Sequence, residues 1–340
     1  MEHGSTSPRS QKCGEIVSDA DGVHAGLVHE AMLYDDDAEF LSGVVGQIRT
    51  ALAADQPVLV ELPGARGELV RDALGPDGGR VRFGDMANHG RNPGRIIPGV
   101  RHDFVVGHLD RRVVIVAEST WATRSAPEYA ACVEHEALTN LAFAEQQVSI
   151  LCPYNLTDLP EHAVADAERT HPTLRQHGAR RVSTAYAEPH AVVDSIAELQ
   201  PPTPARARQL DYASVSQARH AAAEWGRRAG LTEDRLTDLI IAVSEVGGNS
   251  VAHTSHGRSL LWWQNGDSLV CEMRDGGHIQ NLLAGRMPPP LEAESGRGLL
   301  MVNLLCDLVQ VKTGPSGTAI RLWMTLPAQA QGQQRSRVAH

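Results

Sequence analysis

Lysine is almost absent from this chain: of its 31 basic residues, only Lys12 and Lys312 are lysines. The arginine bias goes with abundant alanine and glycine, as in a GC-rich genome, and carries no mechanism. No run approaches ~18 consecutive apolar residues, so no membrane span is expected. The polar start, with Ser5, Ser7, Pro8, Arg9 and Ser10, has no apolar segment behind it and does not read as a signal peptide. The five cysteines, Cys13, Cys132, Cys152, Cys271 and Cys306, contain no CxxC pair. An odd, scattered set reads as reduced thiols of a cytoplasmic protein and argues against zinc. A net charge of -10 argues against a general nucleic-acid or membrane-surface binder.

What is present is enough apolar material, 42% of 340 residues, for two ordinary cores. Residues 1–20 read as a disordered tail and 21–198 as a first domain. In that domain, strands are expected at 56–62, 80–83, 112–117 and 148–152, the last stopped by Pro153. Helices are expected at 67–74 and 126–146, with a loop at 85–93 between them. Apolar strands alternating with helices imply a mostly parallel α/β sheet. The run Gln200-Pro201-Pro202-Thr203-Pro204 continues neither helix nor central strand, which places a linker at 199–205. The second domain, 206–326, shows helices at 214–229, 232–253 and 297–306 and strands at 258–264, 268–274, 308–313 and 318–324. Helices followed by an antiparallel ladder suggest an α+β sandwich. Residues 327–340 read as a second tail.

The chemistry concentrates in the second domain. Glu245, Asn249 and His253 stand four apart and share one helical face. Alone, such a stripe is more often solvated surface. Further on, a strand runs into Asp275-Gly276-Gly277, where a carboxylate can accept from an amino group while the backbone approaches closely. After a proline-rich loop, Ser295-Gly296-Arg297-Gly298 opens a helix, whose free amides and dipole favour phosphate. Gly317-Thr318 begins the last strand.

This ordered set resembles the GHKL ATPases, which share the Bergerat fold, and among them the RsbW-like anti-sigma-factor serine/threonine kinases. The resemblance covers about residues 205–326. It implies ATP and Mg²⁺ as cofactors. Asn249 would hold the metal and Glu245 would act as catalytic base. Asp275 would read adenine with help from Thr318. Gly277, Gly296, Arg297 and Gly298 would line the nucleotide. It departs from the family at Ile279, where a third glycine is usual, at the helix-interior pair Gly247-Gly248, and in a lid, Met287-Pro288-Pro289-Pro290, without lysine.

The first domain resembles the MEDS (methanogen/methylotroph sensory) domain over about 22–190. The phrases that carry this are His29 to Tyr34, Asp85 to Pro98, Glu118-Ser119-Thr120-Trp121, Glu134-His135-Glu136, Leu151-Cys152-Pro153-Tyr154 and Thr170-His171-Pro172. The resemblance implies a RecA/KaiC-like sheet and a small-molecule ligand. Gly64-Ala65-Arg66-Gly67 sits where a phosphate loop would, without the lysine and hydroxyl that handle phosphate. Cys132, His135, Cys152 and His171 read either as ligand-site residues or as core thiols and capping imidazoles.

The combined expectation is a signal-responsive anti-sigma regulator. It would bind a sigma factor and phosphorylate a STAS-type antagonist, with no direct contact to nucleic acid or membrane. A homodimer stays open. Two alternatives stand beside it: a catalytically weak ATP-binding protein that acts through partners, and a sensor histidine kinase-like component.

Overall fold

The computed structural model describes residues 26–200, 202–203, 208–254, 257–289 and 296–327. The tail at 1–20, residues 328–340 of the second tail, linker residues 201, 204 and 205, and lid residues 290–295 lie outside them. The first half contains β1 (Val28–Tyr34), α1 (Asp37–Ala53), β2 (Val58–Leu62), α2 (Gly64–Leu74) and β3 (Arg82–Asp85). Two short helices follow, α3 (Met86–His89) and α4 (His102–Val106), then β4 (Val113–Ala117), α5 (Ala126–Ala142) and β5 (Val148–Asn155). It closes with α6 (Glu161–Thr170), β6 (Thr173–Gln176), β7 (Ala179–Val182) and α7 (Pro189–Ser195).

The seven strands lie in the order β3-β2-β4-β5-β1-β6-β7, parallel except for the β6–β7 hairpin. β2 and β4 are buried at every position, so β4 is an unbroken apolar run in sequence and β2 is one interrupted only by Glu61. In space the pleat still alternates. Leu59, Ile115 and Ile150 face one core, roofed by α5, α6 and the 86–106 segment, while Val60, Val116 and Leu151 face another, roofed by α1 and α2.

Arg66 fills the turn that opens α2. Its guanidinium lies 5.2 Å and 4.9 Å from the ring centres of Tyr34 and Phe40, and its Nε lies 3.7 Å from Glu118 Oε2. Burial pushes the Glu118 carboxyl up to about 7 against the pull of Arg66.

The second half contains β8 (Arg208–Asp211), α8 (Val215–Ala229), α9 (Glu233–His253), β9 (Ser259–Asn265) and β10 (Ser268–Asp275). After the lid come α10 (Gly298–Leu305), β11 (Leu308–Gly314) and β12 (Gly317–Thr325). The sheet order is β11-β12-β10-β9-β8, antiparallel throughout. Leu269, Cys271, Met273, Ile320, Leu322 and Met324 form one core with α8, α9 and α10. On β10, Glu272 is fully buried and accepts from Nε of Arg274 and of Arg321, each at 2.6 Å. Arg321 Nη2 also holds the linker through Gln200 O at 2.9 Å. On β11, Lys312 Nζ donates to Val193 O, Asp194 O and Ile196 O at 3.1, 3.2 and 2.7 Å, closing the C-terminal end of α7.

The strand expected at 80–83 lies at Arg82–Asp85, the helix expected from 67 starts at Gly64, and the loop expected at 85–93 holds α3, capped by the Asp85 side chain. Two further boundaries move for physical reasons. α5 ends at Ala142 rather than at 146, because a turn from Phe143 to Gln146, closed at 2.9 Å, feeds the chain into β5. β5 runs through Pro153 to Asn155 instead of stopping there. Its pairing with β4 has already ended at Leu151, so the proline's missing N–H breaks no bond on that side. No helix among the described residues is long and apolar enough to cross a membrane.

Arg101 and Glu61 form a fully buried pair at 2.9 Å, and Arg101 Nη1 also meets His135 Nε2 at 3.1 Å. Burial would raise the Glu61 carboxyl, but His89 and Arg101 together hold it below its ordinary value. Removing one partner strands the other charge. Arg101→Met should cost about 3–5 kcal/mol in urea unfolding, and the Arg101→Met/Glu61→Gln double variant should recover part of it. Glu118 has the opposite sign: its folded carboxyl binds the proton more tightly than the unfolded one. Its contribution is therefore greatest at low pH and declines as pH rises through about 7. Glu118→Gln should flatten that decline in melting temperature.

Candidate functional site

α9 begins on Thr232, whose hydroxyl accepts from Arg235 N, with Glu233 and Asp234 in its first turn. Leu236, Leu239, Ala242, Val243, Val246, Gly247 and Ser250 are buried, which turns the Glu245–Asn249–His253 stripe toward the rim of the sheet. Gly247 has a packing reason: a Cβ there would stand 3.3 Å from Met273 Cε on β10 and 3.9 Å from Ala218 Cβ on α8. Gly248 meets nothing within 4 Å, and nothing in the structure explains it.

The start of α10 lies directly on this stripe. A Cβ on Gly298 would come within 2.7 Å of Glu245 Oε2 and 3.6 Å of Asn249 Nδ2. Gly296 before it has φ +97, a conformation that side chains rarely adopt. Arg297 is exposed and begins the helix in αR geometry. The first turn of α10, with its unbonded amides, therefore faces the carboxylate and amide of α9.

Asp275 ends β10 opposite Thr318 of β12. Its Oδ1 accepts from Gly277 N at 2.7 Å, which leaves Oδ2 to accept from elsewhere. Thr318 Oγ1 donates to Gly277 O at 2.9 Å and lies 2.9 Å from Thr313 Oγ1, which accepts from Ile279 N at 3.0 Å. Thr318 is thus committed to shaping the glycine turn. Ile279 packs against the core of this half, so the chain dives inward where a third glycine was expected. Gly277 also approaches Thr254, just past the end of α9: a Cβ there would meet Cγ2 at 2.7 Å.

The first part of the lid, residues 282–287, is anchored on the other half of the chain. Leu282, Leu283 and Met287 pack on the core of the first half. Arg286 is 4% exposed and its Nη2 lies 2.7 Å from Glu134 Oε2 on α5. Gly285 O accepts from Asn303 Nδ2 of α10 at 3.0 Å. The far end of α10 is gripped as well. Asn92 Nδ2 and Arg95 Nε donate to Asn303 O at 2.9 and 2.7 Å, and Arg95 Nη2 donates to Cys306 O. Sequence reasoning read 85–93 as a loop within a MEDS phrase without finding its contact with α10, and missed Arg286 although it is the one basic residue at 279–294.

The family model for histidine kinase-like ATPase domains matches residues 209–324, and that for MEthanogen/methylotroph, DcmR sensory (MEDS) domains matches 28–172. The chain joins a MEDS domain to a histidine kinase-like ATPase domain. One similar solved structure is that of the RsbU and RsbW domains of Rv1364c from Mycobacterium tuberculosis. It is 20% identical with a TM-score of 0.28, and the match covers 37% of this chain and 34% of that one, so it spans about a third of that protein's length. No curated protein matches the chain.

Within the MEDS domain, His135 is fully buried in α5 against Arg101, a poor position for a phosphoryl acceptor. The seam between the MEDS and ATPase domains generates a prediction. Glu134→Ala leaves the Arg286 guanidinium buried without its carboxylate, a loss of about 3–5 kcal/mol for such a pair. Amide hydrogen exchange should accelerate in 280–289 while α8 and β10 stay protected; uniform acceleration would show that the pair holds the whole fold and not the lid.

Proposed function

We propose that the ATPase domain is a Bergerat-type sandwich that binds Mg-ATP between α9, the Asp275 turn and the start of α10. The observation that carries this is the close approach of Gly298 to Glu245 and Asn249, which sets a helix N-terminus against a carboxylate and a side-chain amide. Asn249 supplies the hard oxygen that Mg²⁺ takes, and Gly296, Arg297 and Gly298 supply the phosphate-facing backbone. Asp275 accepts the adenine amino group through Oδ2, with Gly277 giving the ring room and Thr318 holding that turn in place. Glu245 is half-buried beside the phosphate end and would take the proton of an attacking hydroxyl.

On this reading the chain is a regulatory serine/threonine kinase of the anti-sigma type. It binds a sigma factor and phosphorylates a STAS-type antagonist, and its MEDS domain, a RecA/KaiC-like sheet over about 21–198, senses a small molecule. A second reading has a specific observation behind it: Arg286 is held by Glu134, and Ile279, where a third glycine is usual, packs into the core. These favour an ATP-binding protein that works by partner exchange without phosphoryl transfer.

Calorimetry with Mg-ATP should give saturable binding that Asn249→Ala weakens at least about tenfold, the share of one metal-ligand or charge-assisted contact. Gly298→Ala should do the same by wedging α10 off Glu245. Absence of binding by the unaltered protein would sink both readings. Incubation with labelled ATP and STAS-domain proteins separates them: acid-stable phosphoserine or phosphothreonine that is lost in Glu245→Ala selects the kinase.

A further inference from the structure

Four side chains that carry metal-binding atoms converge inside the MEDS domain. His29 comes from β1, Glu136 from α5, Cys152 from β5 and His171 from just beyond α6, and all four are buried. His29 Nε2 lies 3.2 Å from Glu136 Oε2 and 3.5 Å from Cys152 Sγ. The same carboxylate oxygen lies 3.6 Å from His171 Nε2 and 3.7 Å from Cys152 Sγ. Nitrogen, oxygen and sulfur ligands at ~2.0–2.3 Å around a tetrahedral ion sit about 3.3–3.7 Å apart. These four of the six separations match that range to about a tenth of an ångström, and all six lie within 4.8 Å.

The outer contacts fix which way each ring points. His29 Nδ1 faces Asn140 Oδ1 at 3.1 Å, and the amide nitrogen of Asn140 is committed to Thr170 O at 2.8 Å, so the oxygen is the acceptor. His171 Nδ1 faces Ala167 O at 2.9 Å and Thr170 Oγ1 at 3.0 Å, and that hydroxyl directs its own proton to Asp166 O at 2.8 Å. Both Nδ1 atoms therefore donate, and in the neutral imidazole both Nε2 atoms present lone pairs to the centre. This is how metal-ligating histidines are held by their surroundings. His171 Nε2 has no hydrogen-bond partner although its side chain is fully buried. Ser119 Oγ donates to the other oxygen of Glu136 and turns Oε2 inward. Two lone pairs, a carboxylate oxygen and a sulfur aimed at one point repel one another unless a cation lies between them. One dication, one carboxylate, one thiolate and two neutral imidazoles sum to zero charge, which is what burial favours.

We propose that His29, Glu136, Cys152 and His171 form a buried tetrahedral site for a divalent zinc-class ion. The mixed nitrogen, oxygen and sulfur donors suit zinc. No CxxC spacing signals the site, because its ligands come from four separate elements. It stands apart from the nucleotide residues and does not depend on their assignment.

Metal analysis of the purified full-length protein, followed by Co²⁺ titration of metal-stripped material, tests this. About one equivalent of zinc per chain should be retained, and Co²⁺ should produce tetrahedral d–d bands with a thiolate-to-cobalt charge-transfer band. Cys152→Ser should lose the charge-transfer band, and His171→Ala should lose the retained zinc. Asn140→Leu removes no ligand and should weaken Zn²⁺ binding about 10–100-fold, the usual effect of an outer partner. The unaltered protein alone suffices to overturn the proposal. If it takes up neither Zn²⁺ nor Co²⁺, and neither zinc nor a chelator moves its melting temperature, the cluster is a hydrogen-bonded network that carries an extra proton.

Discussion

A helix leaves its last carbonyls without donors of its own, and a buried carbonyl cannot go unmet. α10 meets this need with side chains from the other domain. Asn92 and Arg95 reach across the seam to Asn303 O, and Arg95 reaches on to Cys306 O. The position of the ATPase domain against the MEDS domain follows from that bond set. So does the position of Gly298, which is fixed at the other end of the same eight-residue helix. A helix about 12 Å long does not bend appreciably, so the two ends move together. One short element thus touches the Asn92–Arg95 segment of the MEDS domain, the lid through Asn303 and the Glu245–Asn249 stripe.

The lid is tied to the same neighbour. Its apolar residues complete the MEDS core and its only cation is neutralised by α5. α5 carries Glu134 on the seam side and Glu136 toward the buried cluster, two residues apart. Nothing longer than this one helix separates the two. A change inside the MEDS domain that shifted α5 would bear on the lid directly.

The second domain was largely legible, because its period and its spacing are local. Four-residue spacing puts Glu245 and Asn249 on one face of α9, and the hairpin β11–β12 follows from its glycine turn. In the first domain the buried strands were legible as apolar runs, but β5 continues through Pro153 because a neighbouring strand has already ended, which no local window contains. The seam was not legible at all: Asn92 and Asn303 are 211 residues apart, and nothing in either stretch points to the other. The same holds for His29 and His171, which meet only because β1 runs between β5 and β6. Gly247 looked like a weakness in α9; its reason, the approach of Met273, belongs to packing rather than to propensity.

Lys312 returns to the bias with which the sequence opens. Three carbonyls converge on it from the end of α7. A guanidinium spreads its donors in a plane and serves flat, forked acceptors. An ammonium directs three N–H bonds to the base of a tetrahedron, which is the arrangement a helix end presents. In a chain whose cations are nearly all arginines, this is a position where arginine has the wrong shape. Here the geometry of the bond, and not its charge, selects the residue.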